Sequence, residues 1–133
     1  MAVRYHTTAR VGLVQTTDGS TSTVVSYDLV DATQALGAFA NCQVYAELRL
    51  LGRTASPDYL RFDRGLSFAI ESGTVAQLDL AAIVLGTDFI SAALAGAAPV
   101  LDFTGTTIRG RGTGVVAQTI NWTGYLWLYS TSH

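Results

Sequence analysis

"TINWTGYLWLYS" (residues 119–130) is the stretch on which the fold turns. Side chains alternate along a strand with period two. Ile120, Trp122, Leu126 and Leu128 therefore share one face, and Tyr125, Trp127 and Tyr129 share the other. The first face supplies a core. The second is a row of three aromatics that needs an explanation of its own.

Working outward, the same period recurs. "CQVYAELRLLGR" (42–53) sets Val44, Ala46, Leu48 and Leu50 against Tyr45, Glu47, Arg49 and Leu51, a half-buried strand. "YLRFDRGLSFAIE" (59–71) keeps Leu60, Phe62, Leu66, Phe68 and Ile70 in phase, with Arg64-Gly65 as a bulge or bend and Ser72-Gly73 as a tight turn. Towards the N-terminus, "RVGLVQTT" (10–17) alternates Val11 and Leu13 with Gly12 and Val14. Asp18-Gly19 supplies a turn, and "TSTVVSYDLV" (21–30) returns with Thr23, Val25, Tyr27 and Leu29 on one side. "DATQALGAFA" (31–40) reads as an irregular or helical connection. "TVAQLDL" (74–80) and "AIVLG" (82–86) are shorter strands, while "DFISAALAG" (88–96) fits either a strand or a helical turn capped by Thr87 or Asp88. "PVLDFTG" (99–105) and "TIRGRGTG" (107–114) complete the set. About eight strands with turn signals roughly every ten residues predict an all-β fold, an antiparallel, jelly-roll-like β-sandwich. The length predicts one domain over residues 1–133.

Charged residues make up 14% of the chain and hydrophobic ones 49%, where an ordinary soluble domain carries about 25% charged. A 14.1 kDa chain has too much surface per volume to hide all of that apolar material, so some of it is expected to face a partner. All eight cations are Arg. Arg is less strongly hydrated than Lys and pairs bidentately with carboxylates, which makes such a surface easier to bury. A net charge of −2 argues against a nucleic-acid or anionic-membrane partner, either of which calls for a basic field. The single Cys42 rules out an internal disulfide and reads as a buried free thiol. "MAVRYHTTARVGLVQ" (1–15) lacks the charged and apolar regions of a signal peptide. The weakly polar run at 80–101 is broken by Asp88 and Pro99, so no membrane span is expected.

Catalytic chemistry is thin. The only histidines, His6 and His133, stand near the chain ends, where side chains are least well held. The carboxylates are scattered singly, with no calcium-loop spacing. "RGRGTG" (109–114) is rejected as a phosphate loop because a strand, not a helix, follows it. Arg109 and Arg111 share a parity, so they form a solvated or ion-paired strand face or meet phosphates or acidic sugars. The expectation is no catalytic, cofactor-binding or metal residue, hence no enzyme.

"VQTTDGSTSTVVS" (14–26), "VYAELRLLGRT" (44–54) running on to "GTVAQL" (73–78), and "TGVVAQTINWTGYLWL" (113–128) appear in that order. Together they resemble a β-sandwich module of structural proteins in tailed bacteriophages and phage-like particles, as in capsid decoration, head-fibre and tail-fibre proteins. The likeness covers roughly residues 10–129. The chain departs from it at Ser72-Gly73, where a double glycine is common, and in the apolar passage around 81–98. The resemblance implies a noncatalytic virion structural protein made in the bacterial host cytoplasm. Because the module fills the chain from Met1 to His133, a capsid decoration or head-surface subunit is expected first. It would be a homo-oligomer, a trimer by analogy, seated on the major capsid protein through an interface of about 1,600 Å². Tyr125, Trp127, Tyr129, Arg109 and Arg111 are the interface candidates, because aromatic and Arg anchors carry most of such binding energy. The alternative is a tail- or head-fibre receptor-binding module that stacks host surface polysaccharide on the same aromatics.

Overall fold

A computed structural model describes residues 4–30 and 41–132. The described strands are β1 (Arg4–Thr16), β2 (Thr21–Asp28), β3 (Cys42–Arg53), β4 (Tyr59–Glu71), β5 (Thr74–Gln77), β6 (Ile83–Val84), β7 (Phe89–Ile90), β8 (Ala98–Thr104), β9 (Thr107–Thr113) and β10 (Ile120–Ser132). They form two antiparallel sheets. The larger runs β1-β10-β3-β4-β5, with β6 and β7 also paired to β4, and the smaller runs β2-β9-β8. Their inner faces meet in the expected β-sandwich. Segment 31–40, read above as irregular or helical, lies outside the described residues, as does His133.

Period two decides which side chains enter the core. From the large sheet come Leu48 and Leu50 of β3, Phe62 and Phe68 of β4, and Trp122 and Leu126 of β10. Leu101 of β8 and Ile108 of β9 meet them from the small sheet. Burying a side chain of this class contributes about 1.5–3 kcal/mol. Cys42 begins β3 as a buried free thiol, and its pKa is raised by burial and then by the charge of Glu71. Among the described residues no helix is long and apolar enough to cross a membrane.

The glycines of "RGRGTG" set how closely the sheets approach. Gly110 and Gly112 face inward on β9 and are buried, while Arg109 and Arg111 face outward. A Cβ on Gly112 would stand 2.9 Å from Cδ2 of Trp122, and one on Gly110 would collide with Leu48 Cδ1. Gly112→Ala is therefore expected to destabilise the fold by about 1–3 kcal/mol through overpacking, read from the urea midpoint. An unchanged midpoint would mean that Trp122 does not rest on this backbone.

Two local expectations, in β2 and at Arg64-Gly65, are revised, and the structure decides which set of 10–17 faces inward. Gly12 faces the small sheet because a Cβ there would strike the carbonyl oxygen of Val24. That turns Val11 and Leu13 outward, where they are 63% and 76% exposed. In β2 the register shifts between Thr23 and Val25, a bulge that buries Val24 and Val25 together and leaves Thr23 exposed. The bulge expected at Arg64-Gly65 is absent, since β3 and β4 pair in unbroken register. Gly65 instead leaves room for the Tyr45 hydroxyl. Ser72 and Gly73 do form the tight turn, at φ 51° and 78°. In 88–96 a strand at Phe89–Ile90 is followed by a 3-10 turn at Ala92–Leu94, whose N-cap is Ser91 without a side-chain cap bond and not Thr87 or Asp88, which precede the strand.

Candidate functional site

The outer face of the large sheet is built in cross-strand rows. One row reads Ala9–Trp127–Glu47–Gly65, the next Val11–Tyr125–Arg49–Asp63, and a third Thr7–Tyr129–Tyr45–Ser67. Residues directly opposite on paired strands are in side-chain contact range. Tyr125 and Trp127 lie parallel, with centroids 6.1 Å apart and planes at 15°. Tyr129 pairs in the same way with Tyr45, at 6.2 Å and 24°. The second aromatic face is thus two stacked pairs. Trp127 and Tyr125 are half-buried, and Tyr129 is 40% exposed.

Beside Trp127 the sheet is hollowed into a cleft of about 410 Å³, lined by Glu47, Arg49, Arg61, Asp63 and the chain from Leu85 to Thr87. Its polar groups are held in place. Arg49 Nε donates to Asp63 Oδ1 at 2.7 Å, and Arg61 Nε lies 3.8 Å from the other oxygen of Asp63. Arg61 Nη2 also donates to the Thr87 carbonyl at 3.1 Å, and Leu85 N to the Asp63 carbonyl at 3.1 Å. Gly86, at φ 80°, makes the bend between them. Glu47 stands next to the Tyr45 hydroxyl, whose pKa is raised by burial first and then by the charge of Glu47. Two carboxylates, two guanidinium groups and an indole thus face one hollow.

The loop wall is anchored from beneath. Arg64 binds Asp88 with both ends of its fork, at 2.8 and 2.9 Å. The hydrogen bond from Arg64 is the main cause that lowers the Asp88 pKa below its ordinary 3.8. A carboxylate whose pKa is depressed on folding stabilises the fold above its unfolded value and loses that contribution as pH falls through the folded one. The clamp is therefore complete above about pH 4 and fails progressively below it. A carboxyl-carbon NMR titration should place the Asp88 midpoint under 3.8, with Arg64→Gln returning it to the ordinary value. An ordinary midpoint in the unsubstituted protein would contradict the clamp.

The five interface candidates do not form one surface. Tyr125, Trp127 and Tyr129 lie on the outside of the large sheet, while Arg109 and Arg111 lie on the outside of the small sheet, across the sandwich. Glu47, Arg49, Arg61 and Asp63 went unnoticed as a group because they sit on β3 and β4, far in sequence from Trp127. Only the strand order β10-β3-β4 unites them. Outward parity on 42–53 and 59–71 was the available signal. His6 belongs to β1 by its backbone. Among the described residues no three His, Cys, Asp or Glu side chains gather to hold a metal ion.

No family model matches the chain, and no curated protein matches it. Solved structures with a similar course are phage tailspike proteins. The Acinetobacter baumannii phage AM24 tailspike shares 15% identity at a TM-score of 0.47, over 95% of this chain and 26% of its own. Tailspike gp49 of Acinetobacter baumannii bacteriophage Fri1, described as a capsular polysaccharide depolymerase, shares 15% at 0.38, over 94% and 17%. The Acinetobacter phage vB_ApiP_P1 tailspike shares 12% at 0.37, over 90% and 20%. The chain thus spans about a quarter or less of the tailspikes it matches. The expectation that it is not an enzyme is corrected by the neighbour described as a depolymerase. The physical reason is that glycosidic bonds are cleaved by carboxylate pairs and need no histidine or metal. Carboxylates that are scattered along the sequence do converge, since Glu47 and Asp63 line one cleft.

Proposed function

We propose that the chain is a receptor-binding module of a phage tail structure and holds host surface polysaccharide in the cleft beside Trp127. The observation that carries this reading is the composition of that hollow: an indole set among Glu47, Arg49, Arg61 and Asp63. A sugar ring has a C–H face that packs on an aromatic plane and a rim of hydroxyls that both donate and accept. An aromatic wall with fixed carboxylate acceptors and guanidinium donors meets both demands. Its volume of about 410 Å³ falls within the range of small-ligand clefts, roughly 300–1,000 Å³.

We set this reading ahead of capsid decoration for a physical reason. The core of a protein interface is depleted of charged residue types, whereas Glu47, Arg49, Arg61 and Asp63 line the same hollow as Trp127. The aromatics are moreover covered in part by one another. The phage setting is that of the resemblance and of the tailspike neighbours. Tryptophan fluorescence tests the proposal. Trp122 is buried, so a change on titration with capsular oligosaccharides, those of Acinetobacter baumannii strains first, reports on Trp127. Saturable quenching is expected. Assaying the same samples for new reducing ends reads whether the two carboxylates cleave what they hold. Absence of any glycan response, together with binding to empty capsids, would return the chain to the decoration reading.

A further inference from the structure

The small sheet has an outer face of different chemistry, and its central cation is poorly partnered. Arg109 takes both oxygens of Asp102, Nε to Oδ1 at 2.9 Å and Nη2 to Oδ2 at 2.9 Å. Arg111 reaches the same carboxylate only through Nη1, at 3.5 Å. Its Nε is buried and has no hydrogen-bond partner among the described residues, although the side chain as a whole is 26% exposed. Two guanidinium groups therefore share one carboxylate, while Asp28, on the same face of β2, accepts from Thr106 Oγ1 and Val30 N and is bonded to neither of them. A buried donor without a partner costs about 1–3 kcal/mol, so a ligand that supplies one gains by it. The 3.5 Å contact is longer than the 2.9 Å bonds of Arg109, and a turn of the guanidinium out of it would offer a ligand two parallel N–H groups. A planar carboxylate fits that fork.

The surroundings say what carries the carboxylate. Thr23 lies directly across from Arg111 on β2, and Ser26 across from Arg109. Both are exposed. Thr21 and Thr113 share a hydroxyl hydrogen bond of 2.7 Å in the adjoining row. None of the exposed large apolar side chains belongs to β2, β8 or β9. A face of hydroxyls and guanidinium groups, with Asp102 and Asp28 already engaged, lacks the apolar anchors of a protein interface and suits a hydrophilic ligand whose carboxylate takes Arg111.

We propose that this face binds an acidic sugar, a uronate, with its carboxylate on Arg111 and its hydroxyls on Thr23 and Ser26. The site lies across the sandwich from Trp127 and does not depend on the reading of that cleft. The test is an NMR titration that follows the arginine Nε–H resonances, using a glucuronate-containing disaccharide, its glucose counterpart and acetate. The glucuronate sugar is expected to shift the Arg111 resonance and to bind at least ten-fold more tightly than either comparison compound. Arg111→Gln should abolish that preference, while Trp127→Ala should leave it intact. Arg111→Lys, which keeps the charge but not the fork, is the second variant should the first fail to fold, and it should lose most of the preference. No shift at Arg111, equal binding of acetate, or loss of binding in Trp127→Ala with retention in the Arg111 variants would each overturn the proposal.

Discussion

Trp122→Ala is expected to destabilise the fold by about 3–5 kcal/mol, the largest effect of any single change considered. Its indole is 1% exposed, stacked on Phe62 at 6.4 Å and seated on the backbone of Gly112. Nε1 donates to Thr16 Oγ1 at 2.9 Å, and Thr16 is itself buried. Truncation thus leaves a cavity between the sheets and a buried hydroxyl without its donor. Native domains hold about 5–15 kcal/mol in total, so the variant should be marginal at room temperature. Trp122→Phe separates the two contributions, because it keeps most of the bulk and loses the hydrogen bond. It is expected to cost about 1–3 kcal/mol. Urea unfolding measures both, and a midpoint shift for Trp122→Ala no larger than for a surface variant would show that this residue is not in the core.

Trp127→Ala, five residues on and of opposite parity, should do the reverse. Its side chain stacks on Tyr125 outside the sheet, so its removal opens no core cavity and the thermal midpoint should move little. Binding of oligosaccharide to the cleft should fall at least ten-fold, about 1.4 kcal/mol, because the aromatic wall is gone. Trp127→Phe should recover part of the affinity by restoring an aromatic plane. Should Trp127→Ala unfold the protein as severely as Trp122→Ala, the outer aromatics would be additional core and the cleft would lose its assigned role.

The sequence made the faces legible but not the neighbours. In 42–53, 59–71 and 120–132 most alternate residues are apolar and buried, with Arg64, Ser130 and Ser132 the polar residues in the same phase. Where backbone meets backbone, periodicity does not decide. In 10–17 alternation leaves open which set faces inward, and the close passage of Gly12 over Val24 turns Val11 and Leu13 outward, information that no pattern within one strand contains. The β2 bulge is hidden for the same reason, since two successive valines are buried only because Val24 has no partner on β9. Trp127 was readable as an outward aromatic, yet its cleft depends on which strands flank β10. Arg109 and Arg111 were readable as one face, but not as a face on the far side of the molecule. Glu47 and Asp63 looked unrelated because alternation assigns a side, not a register: Glu47 and Arg49 share a face of β3 by parity, but only cross-strand pairing brings Asp63 to Arg49.

A crystal structure of the protein with a capsular oligosaccharide would locate the bound sugar. One sugar ring is expected flat against the Trp127 indole, with hydroxyls on Glu47 and Asp63 and its edge against the 85–87 segment. An oligosaccharide bound elsewhere with this cleft left vacant, or a cleft filled by a neighbouring protein subunit in the intact particle, would contradict this placement.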